Sequence, residues 1–222
     1  MQGRIGFIVI SHRSRGSMIF ESCWLSACQG LAVFHAFEKL SLSCSMSYCQ
    51  IALGHPIHGP FHDHEHGFPI RGDVELFERL VLEINQAGLS WLAVLKKRES
   101  LRAAFDNFAV DKVAAYGDKE KSRLLSDPGI IRNRLKVGAV IENARRIAAL
   151  RDRHGSFAAW LDTQHPLPKE RWIKLFRKTL VFTGGEITNE FLVGVGYLPG
   201  AHERSCPIFT TVEQKQPPWM RR

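Results

Sequence analysis

Apolar positions along this chain fall into two regimes. Residues 1–45 mix apolar and polar pieces without a sustained period, whereas from Met46 the pattern turns regular and helical. Over 73–87, Val74, Phe77, Val81 and Ile84 recur at helical spacing, and Leu76 and Leu80 widen the apolar arc. Asp73 is suited to cap the first turn and Gly88 to end the helix. Glu83 falls beside Leu76 and Leu80 at the edge of that arc, where a carboxylate is either drawn into a cleft or left solvated. A second helix is predicted from Ser90 to Phe105, with Trp91, Val94, Leu95 and Phe105 on one face and Lys96, Lys97 and Arg98 on another. Short helical pieces follow at 111–116 and 118–125, and Asp127-Pro128-Gly129 breaks the pattern. A longer helix runs from Leu135 to Arg153 and is ended by Gly155, with further helical segments at 156–161, 169–182 and 186–194. No pair of alternating strands with a hairpin turn is present. The pattern predicts an all-α domain of roughly seven to nine helices joined by short loops.

Composition narrows the class. The 222 residues suit one domain with or without a tail, and 45% hydrophobic against 23% charged residues excludes disordered and fibrous chains. The excess of 30 Lys and Arg over 22 Asp and Glu gives a net charge of +8. That balance favours a polyanionic partner, although a merely soluble basic protein would carry it too. Cys23, Cys28, Cys44, Cys49 and Cys206 are too few and too unevenly placed for a disulfide framework, so a reducing, cytoplasmic setting is expected. No apolar run approaches the ~18 residues of a membrane span. The apolar stretch from Cys23 to Phe37 is broken by Gln29, Gly30 and His35 and lacks the order of a secretion signal. The expected organisation is a dispensable extension or mis-assigned start over 1–45, a domain over 46–212 and a tail over 213–222.

Three features bear on chemistry, each with a plainer meaning beside it. Gly129-Ile130-Ile131-Arg132-Asn133-Arg134, running into a helix with Lys136, is a turn that can offer backbone amides to a phosphate, or simply a solvated basic helix start. Gln86-Ala87-Gly88-Leu89-Ser90-Trp91 can deliver an apolar wedge and an aromatic face to a base stack, or bury Leu89 and Trp91 in a helix–helix turn. His62-Asp63-His64-Glu65-His66 would place three imidazoles on one side of an extended segment. Alternatively, Cys49 with His62 and His202 with Cys206 form two halves of a tetrahedral site, a weak pattern among ten histidines.

Five blocks stand in order between Tyr48 and Ile208. They are Phe61-His62-Asp63-His64-Glu65-His66-Gly67, the run from Glu83 to Trp91, Leu95-Lys96-Lys97-Arg98-Glu99, the run from Asp127 to Arg134, and Gly196-Tyr197-Leu198-Pro199-Gly200-Ala201-His202. No single block is specific, but together they resemble the 3-methyladenine DNA glycosylase I family of the helix-hairpin-helix superfamily. The resemblance implies a structural zinc joining the two ends through Cys49, His62, His202 and Cys206, which demotes the reading that uses His64 and His66. It implies a base pocket formed by Glu83 and Trp91 with aromatics near the start. There Phe61 stands where a tyrosine is common, His58 where some members have a second tyrosine, and His66 where a large aromatic is usual. A lost phenol removes a hydrogen bond but keeps a stacking face.

The resemblance further implies that Gly129, Ile130, Arg132 and Arg134 grip the phosphate backbone and that Leu89 fills the gap left by a flipped nucleotide. The implied activity is hydrolysis of the N-glycosidic bond of 3-methyladenine in double-stranded alkylated DNA, during base excision repair, by a monomer. Glu83 would recognise the cationic base and catalyse only through its charge, since the family lacks the aspartate base of many relatives. Two rivals are a helix-hairpin-helix module that only binds DNA, and a metal-dependent hydrolase using His62, His64 and His66.

Overall fold

Residues 46–221 are described by the structure, a computed structural model, and the extension expected over 1–45 lies outside them. Every regular element among the described residues is helical. In order these are α1 (Tyr48–Ala52), α2 (His58–His64), α3 (Asp73–Gln86), α4 (Trp91–Lys96), α5 (Arg98–Ala104), α6 (Val110–Ala114), α7 (Asp118–Ser126), α8 (Arg134–His154), α9 (Phe157–Gln164), α10 (Lys169–Thr179), α11 (Gly185–Gly194) and α12 (Pro207–Gln214). Single 3-10 turns lie at Asp106–Phe108 and Pro218–Met220.

Helix α3 is the axis of the packing. It touches α4, α8, α9 and α11, so its apolar surface is covered on several sides rather than along one stripe. Leu76, Phe77, Leu80, Val81, Leu82 and Ile84 are fully buried, each worth about 1.5–3 kcal/mol relative to exposure. Val74 departs from the expected arc and is exposed, because it lies in the first turn beyond the covering helices. Asp73 does not cap its own helix, whose N-cap is Gly72. Its Oδ1 instead accepts the Phe157 amide at 2.8 Å and so ties the start of α9 to the start of α3.

The single helix predicted over 90–105 is two. Its ladder breaks at Lys97 (φ −99°, ψ 2°), whose ammonium donates to the carbonyl oxygens of Pro128 and Gly129 at 3.1 and 3.0 Å. Helix α2 replaces the extended conformation considered for 62–66, and α1 and α12 are further helices without a counterpart in the periodicity. The expected boundary at 212 falls within α12. The segment after it packs on the domain: Pro217 and Pro218 are buried, and the Trp219 amide donates to the Gly196 oxygen at 3.1 Å. Gly196 (φ +77°) is tight here, since a Cβ would lie 3.0 Å from Pro217 and 3.1 Å from the Gly67 oxygen.

Candidate functional site

Covering α3 on several sides takes four polar side chains out of water: Glu78, Arg79, Glu83 and Asn85. Each costs free energy unless it finds a partner. Glu78 accepts from Arg98 Nε at 2.7 Å and Arg102 Nη2 at 2.8 Å. Arg79 donates to Glu65, which also receives a two-pronged contact from Arg98 at 2.7 and 2.8 Å. Asn85 donates to the Val81 carbonyl at 2.8 Å. Arg98, expected on a polar face of its helix, is thus the hinge of a half-buried ion network.

Glu83 is the exception. It is only 9% exposed, and among the described residues no group forms a hydrogen bond with its carboxyl. Burial pushes that carboxyl up to about 8, the nearby carboxylate of Glu190 adds to the rise, and Arg79 opposes it. Glu190, on α11, is itself raised by burial, with the Asn189 amide donating to it at 3.0 Å. The network behind the site holds three arginines (79, 98, 102) against two glutamates (65, 78), and ionised Glu83 would balance the excess. Only with both Glu83 and Glu190 ionised would the site carry a net negative charge, and burial opposes that in both carboxyls.

An aromatic wall stands beside this carboxyl. Arg79, one turn before Glu83, lies over the Phe61 ring at 4.4 Å. Trp91, at the first position of α4 and half-buried, meets Phe61 edge-on with ring centroids 5.1 Å apart. His58 is buried on α2, and its Nδ1 lies 3.3 Å from the Tyr48 hydroxyl. Sequence reasoning missed Tyr48 and Glu190. Tyr48 could have been marked by its place beside Cys49, but Glu190 reads as an ordinary polar position of an amphipathic helix.

The turn between α3 and α4 presents Leu89, which is 43% exposed, so the buried alternative does not hold for it. Gly88 (φ +77°) makes the turn, in a conformation that side chains rarely adopt. Ser90 then caps α4 by accepting the Ala93 amide. Lys136 braces the turn from behind. Its ammonium is buried and donates to the carbonyl oxygens of Asn85 and Ala87 at 2.8 and 2.6 Å, at the C-terminal end of α3.

Between α7 and α8 the chain makes a tight loop over 127–133. Asp127 Oδ1 accepts the Gly129 amide at 2.7 Å, so this amide, expected to face a phosphate, is already used. Gly129 is required instead for close packing: a Cβ would lie 2.9 Å from Asp127 Oδ1 and 3.3 Å from Ser100 Cβ. Ile130 is buried and anchors the loop, while Arg132 and Arg134 are exposed. Among the described residues the amides of Ile130, Ile131 and Arg132 have no acceptor, and Asn133 caps α8 through the Leu135 and Lys136 amides. Three amides without acceptors and two exposed guanidiniums without ion-pair partners among the described residues thus lie in this loop and the helix start that follows it.

Cys49, His62, His202 and Cys206 converge, with all four ligand atoms within 4.8 Å of one another. His62 Nε2 and His202 Nδ1 are 3.1 Å apart, Cys206 Sγ lies 3.7 Å from both, and Cys49 Sγ lies 3.9 Å from His202 Nδ1. The donor set fits a cation. His62 Nδ1 is bonded to Asp63 Oδ1 at 2.7 Å and His202 Nε2 to the His66 carbonyl at 2.8 Å, so the N–H of each ring points away from the cluster. Two lone pairs then face each other across 3.1 Å, an arrangement that a shared cation would stabilise. Burial pushes the Cys49 thiol up to about 11, so its thiolate likewise needs a cation. A tetrahedral ion with about 2.3 Å to sulfur and about 2.0 Å to nitrogen requires ligand edges of roughly 3.3–3.8 Å, close to those found. Because 58–64 is helical, His64 points away from His62 and is exposed, which excludes a site built on His62, His64 and His66.

The methyladenine glycosylase family profile matches residues 52–183. The chain is 47% identical over 100 residues to DNA-3-methyladenine glycosylase 1 of Escherichia coli (strain K12), a match covering 45% of this chain and about half, 54%, of that protein. It is 38% identical over 170 residues to DNA-3-methyladenine glycosylase of Haemophilus influenzae (strain ATCC 51907 / DSM 11121 / KW20 / Rd), covering 68% of this chain and 91% of that one. Among solved structures, a 3-methyladenine DNA glycosylase I superposes with a TM-score of 0.63 at 34% identity, covering 69% of this chain and 94% of its own. A tyrosine-to-phenylalanine variant of such an enzyme, in complex with 3-methyladenine, superposes with a TM-score of 0.66 at 29% identity, covering 73% and 97%.

Proposed function

Because this chain belongs to the methyladenine glycosylase family, we propose that it removes 3-methyladenine from alkylated duplex DNA by hydrolysing the N-glycosidic bond. The observation that carries this reading is Glu83, a buried carboxyl with no hydrogen-bond partner among the described residues, set beside the Phe61–Trp91 wall. A fold does not keep such a group without cost, and a cationic base with an exocyclic amine would satisfy it. A module that merely bound DNA would have no use for it.

The damaged base leaves the stack, because its bond cannot be reached inside a duplex. Leu89 fills the gap, while Phe61 and Trp91 stack on the base and Glu83 accepts a hydrogen bond from the amine. His58 lines the same pocket. The base is already a cation in DNA, so when the bond from the sugar carbon to the ring nitrogen breaks, the electron pair neutralises it and no proton need be donated. Water adds to the sugar carbon and gives its proton to solvent. The loop between α7 and α8 acts as the hairpin of a helix-hairpin-helix unit, holding backbone phosphates with its free amides and with Arg132 and Arg134, while Ile130 and Gly129 shape it.

Cys49, His62, His202 and Cys206 hold one structural zinc, and four protein ligands leave it no open position for chemistry. Asp63 orients His62 as a carboxylate behind a metal ligand does. Among the described residues no helix is long and apolar enough to cross a membrane. A monomer in a reducing cytoplasm fits ligand cysteines that form no disulfide. The test is incubation with methylated duplex DNA and chromatography of the released bases. Free 3-methyladenine is expected, and DNA binding without any released base would refute the reading.

A further inference from the structure

Arg79 is buried at a cost that the ion network behind the site does not explain. Only 6% of the residue is exposed, and its Nη1 is buried without a hydrogen-bond partner among the described residues. Its ion-pair partner, Glu65, does not depend on it. Arg98 already meets both oxygens of that carboxylate at 2.7 and 2.8 Å, and Glu65 is partly open to solvent. Glu78 is held by Arg98 and Arg102 without any help from Arg79. Two arginines against two glutamates would remain if Arg79 were apolar. A methionine there would spare the fold a buried charge.

What Arg79 does touch is the aromatic wall. Its guanidinium carbon lies over the Phe61 ring, 4.4 Å from the centroid, and Phe61 in turn meets Trp91 edge-on at 5.1 Å. We infer that Arg79 is a positioning residue of the base pocket, whose guanidinium, anchored by Glu65, backs the Phe61 ring and fixes the wall against which the flipped base stacks. A phenyl ring carries no polar atom by which its neighbours could hold it. Its plane is set by packing and by the attraction of a cation for the π face, which is stronger where water is excluded. The cation is itself placed from behind. Arg79 Nη2 donates to Glu65 Oε2, and Glu65 is gripped by Arg98 at the start of α5. A line of contacts therefore runs from α5 through Glu65 and Arg79 to Phe61 and Trp91. His66, tilted 34° from the Phe61 plane with centroids 5.8 Å apart, is a further aromatic neighbour of the ring.

The inference rests on the glycosylase reading only for its catalytic consequence. Arg79→Met keeps an apolar stem and removes the charge. Single-turnover excision from methylated DNA is expected to fall about five- to tenfold, as for one desolvated cation–ring contact. The melting temperature should hold or rise, while metal content and affinity for DNA carrying a stable abasic analogue stay at wild-type values. Arg79→Lys, which restores the cation without its flat face, should recover part of the rate. In a Phe61→Leu background, Arg79→Met should slow excision no further, because the ring it acts on is gone. Wild-type excision by Arg79→Met overturns the inference, and so does an additive loss in the double variant. A parallel fall in excision, melting temperature and abasic-DNA affinity overturns it too, since Arg79 would then serve the fold alone. If the wild-type protein releases no base, the proposed function fails, while melting of the same variants still decides the Arg79–Phe61 link. Arg79→Met should raise the melting temperature more in the Phe61→Leu background than in the wild type, and equal shifts would exclude the link.

Discussion

The two faces of helix α2 carry opposite solutions to the same problem. On one, His62 enters a cluster with Cys49, His202 and Cys206, where each imidazole has its outer nitrogen bonded and its inner one aimed at a shared centre. On the other, Phe61 joins a wall beside Glu83, a buried carboxyl that no group among the described residues satisfies. Both regions bury polar atoms at a cost. On the proposed reading the cluster is completed by an ion that stays, and the pocket only by a base that comes and goes. A group that holds the fold is satisfied at rest, whereas one that selects a ligand is left wanting.

That contrast breaks if the cluster proves dispensable, so its removal is the largest expected effect. Cys206→Ser is expected to lose bound zinc and to lower the melting temperature together, since structural zinc contributes roughly 10–16 kcal/mol in small zinc domains. Metal analysis beside thermal unfolding checks it, and full stability without metal would overturn the structural role.

Next comes Glu83→Gln, which should do the reverse and reduce activity while sparing the fold. Excision of 3-methyladenine is expected to slow about ten- to a few-hundred-fold, at ~1.4 kcal/mol per decade, with affinity for abasic DNA unchanged. Its stability should move the other way. The Glu83 carboxyl sits at about 8 in the folded chain against 4.5 unfolded. The folded state therefore binds more protons between those values, and wild-type stability falls as pH rises across that window. Relative to wild type, the Gln variant should gain stability from pH 4.5 to 8, which paired melts at several pH values will show. A smaller effect sharpens the electrostatic side. If ionised Glu83 receives the cationic base, excision efficiency should rise with pH up to about 8, and Glu190→Gln should move that limb to lower pH by removing the neighbouring negative charge. An unmoved limb would exclude Glu190 from the site. Smallest is the effect of Arg132→Ala or Arg134→Ala. Each should weaken DNA binding about equally across sequences and reduce the salt slope by about one phosphate contact.

Legibility from sequence followed the range of the interaction. Helices α3, α7, α8, α10 and α11 were readable because burial along one face repeats locally, and the Glu83 position at the edge of an apolar arc was readable for the same reason. The four cluster ligands came from a resemblance, since spacing alone could not join Cys49 to His202 across 153 positions. What stayed hidden were side chains whose partners lie on other helices. Arg98 read as a solvated charge until Glu65 and Glu78 came beside it, and Lys97 and Lys136 read as basic surface although both cap carbonyl groups elsewhere. Periodicity reports whether a position is covered and says nothing of what covers it.

Lys136 has one more consequence. It rises from the first turn of α8, directly after the loop with the free amides, and ends on the carbonyls that close α3, directly before the turn that carries Leu89. The two parts proposed to touch DNA are thus fastened to each other by a buried strut rather than by a pliable linker. On the proposed reading the spacing from gripped phosphate to probing leucine would be set by the protein like the jaws of a gauge. The duplex would then have to yield to this measure, and a nucleotide whose pairing or stacking is already weakened would yield first.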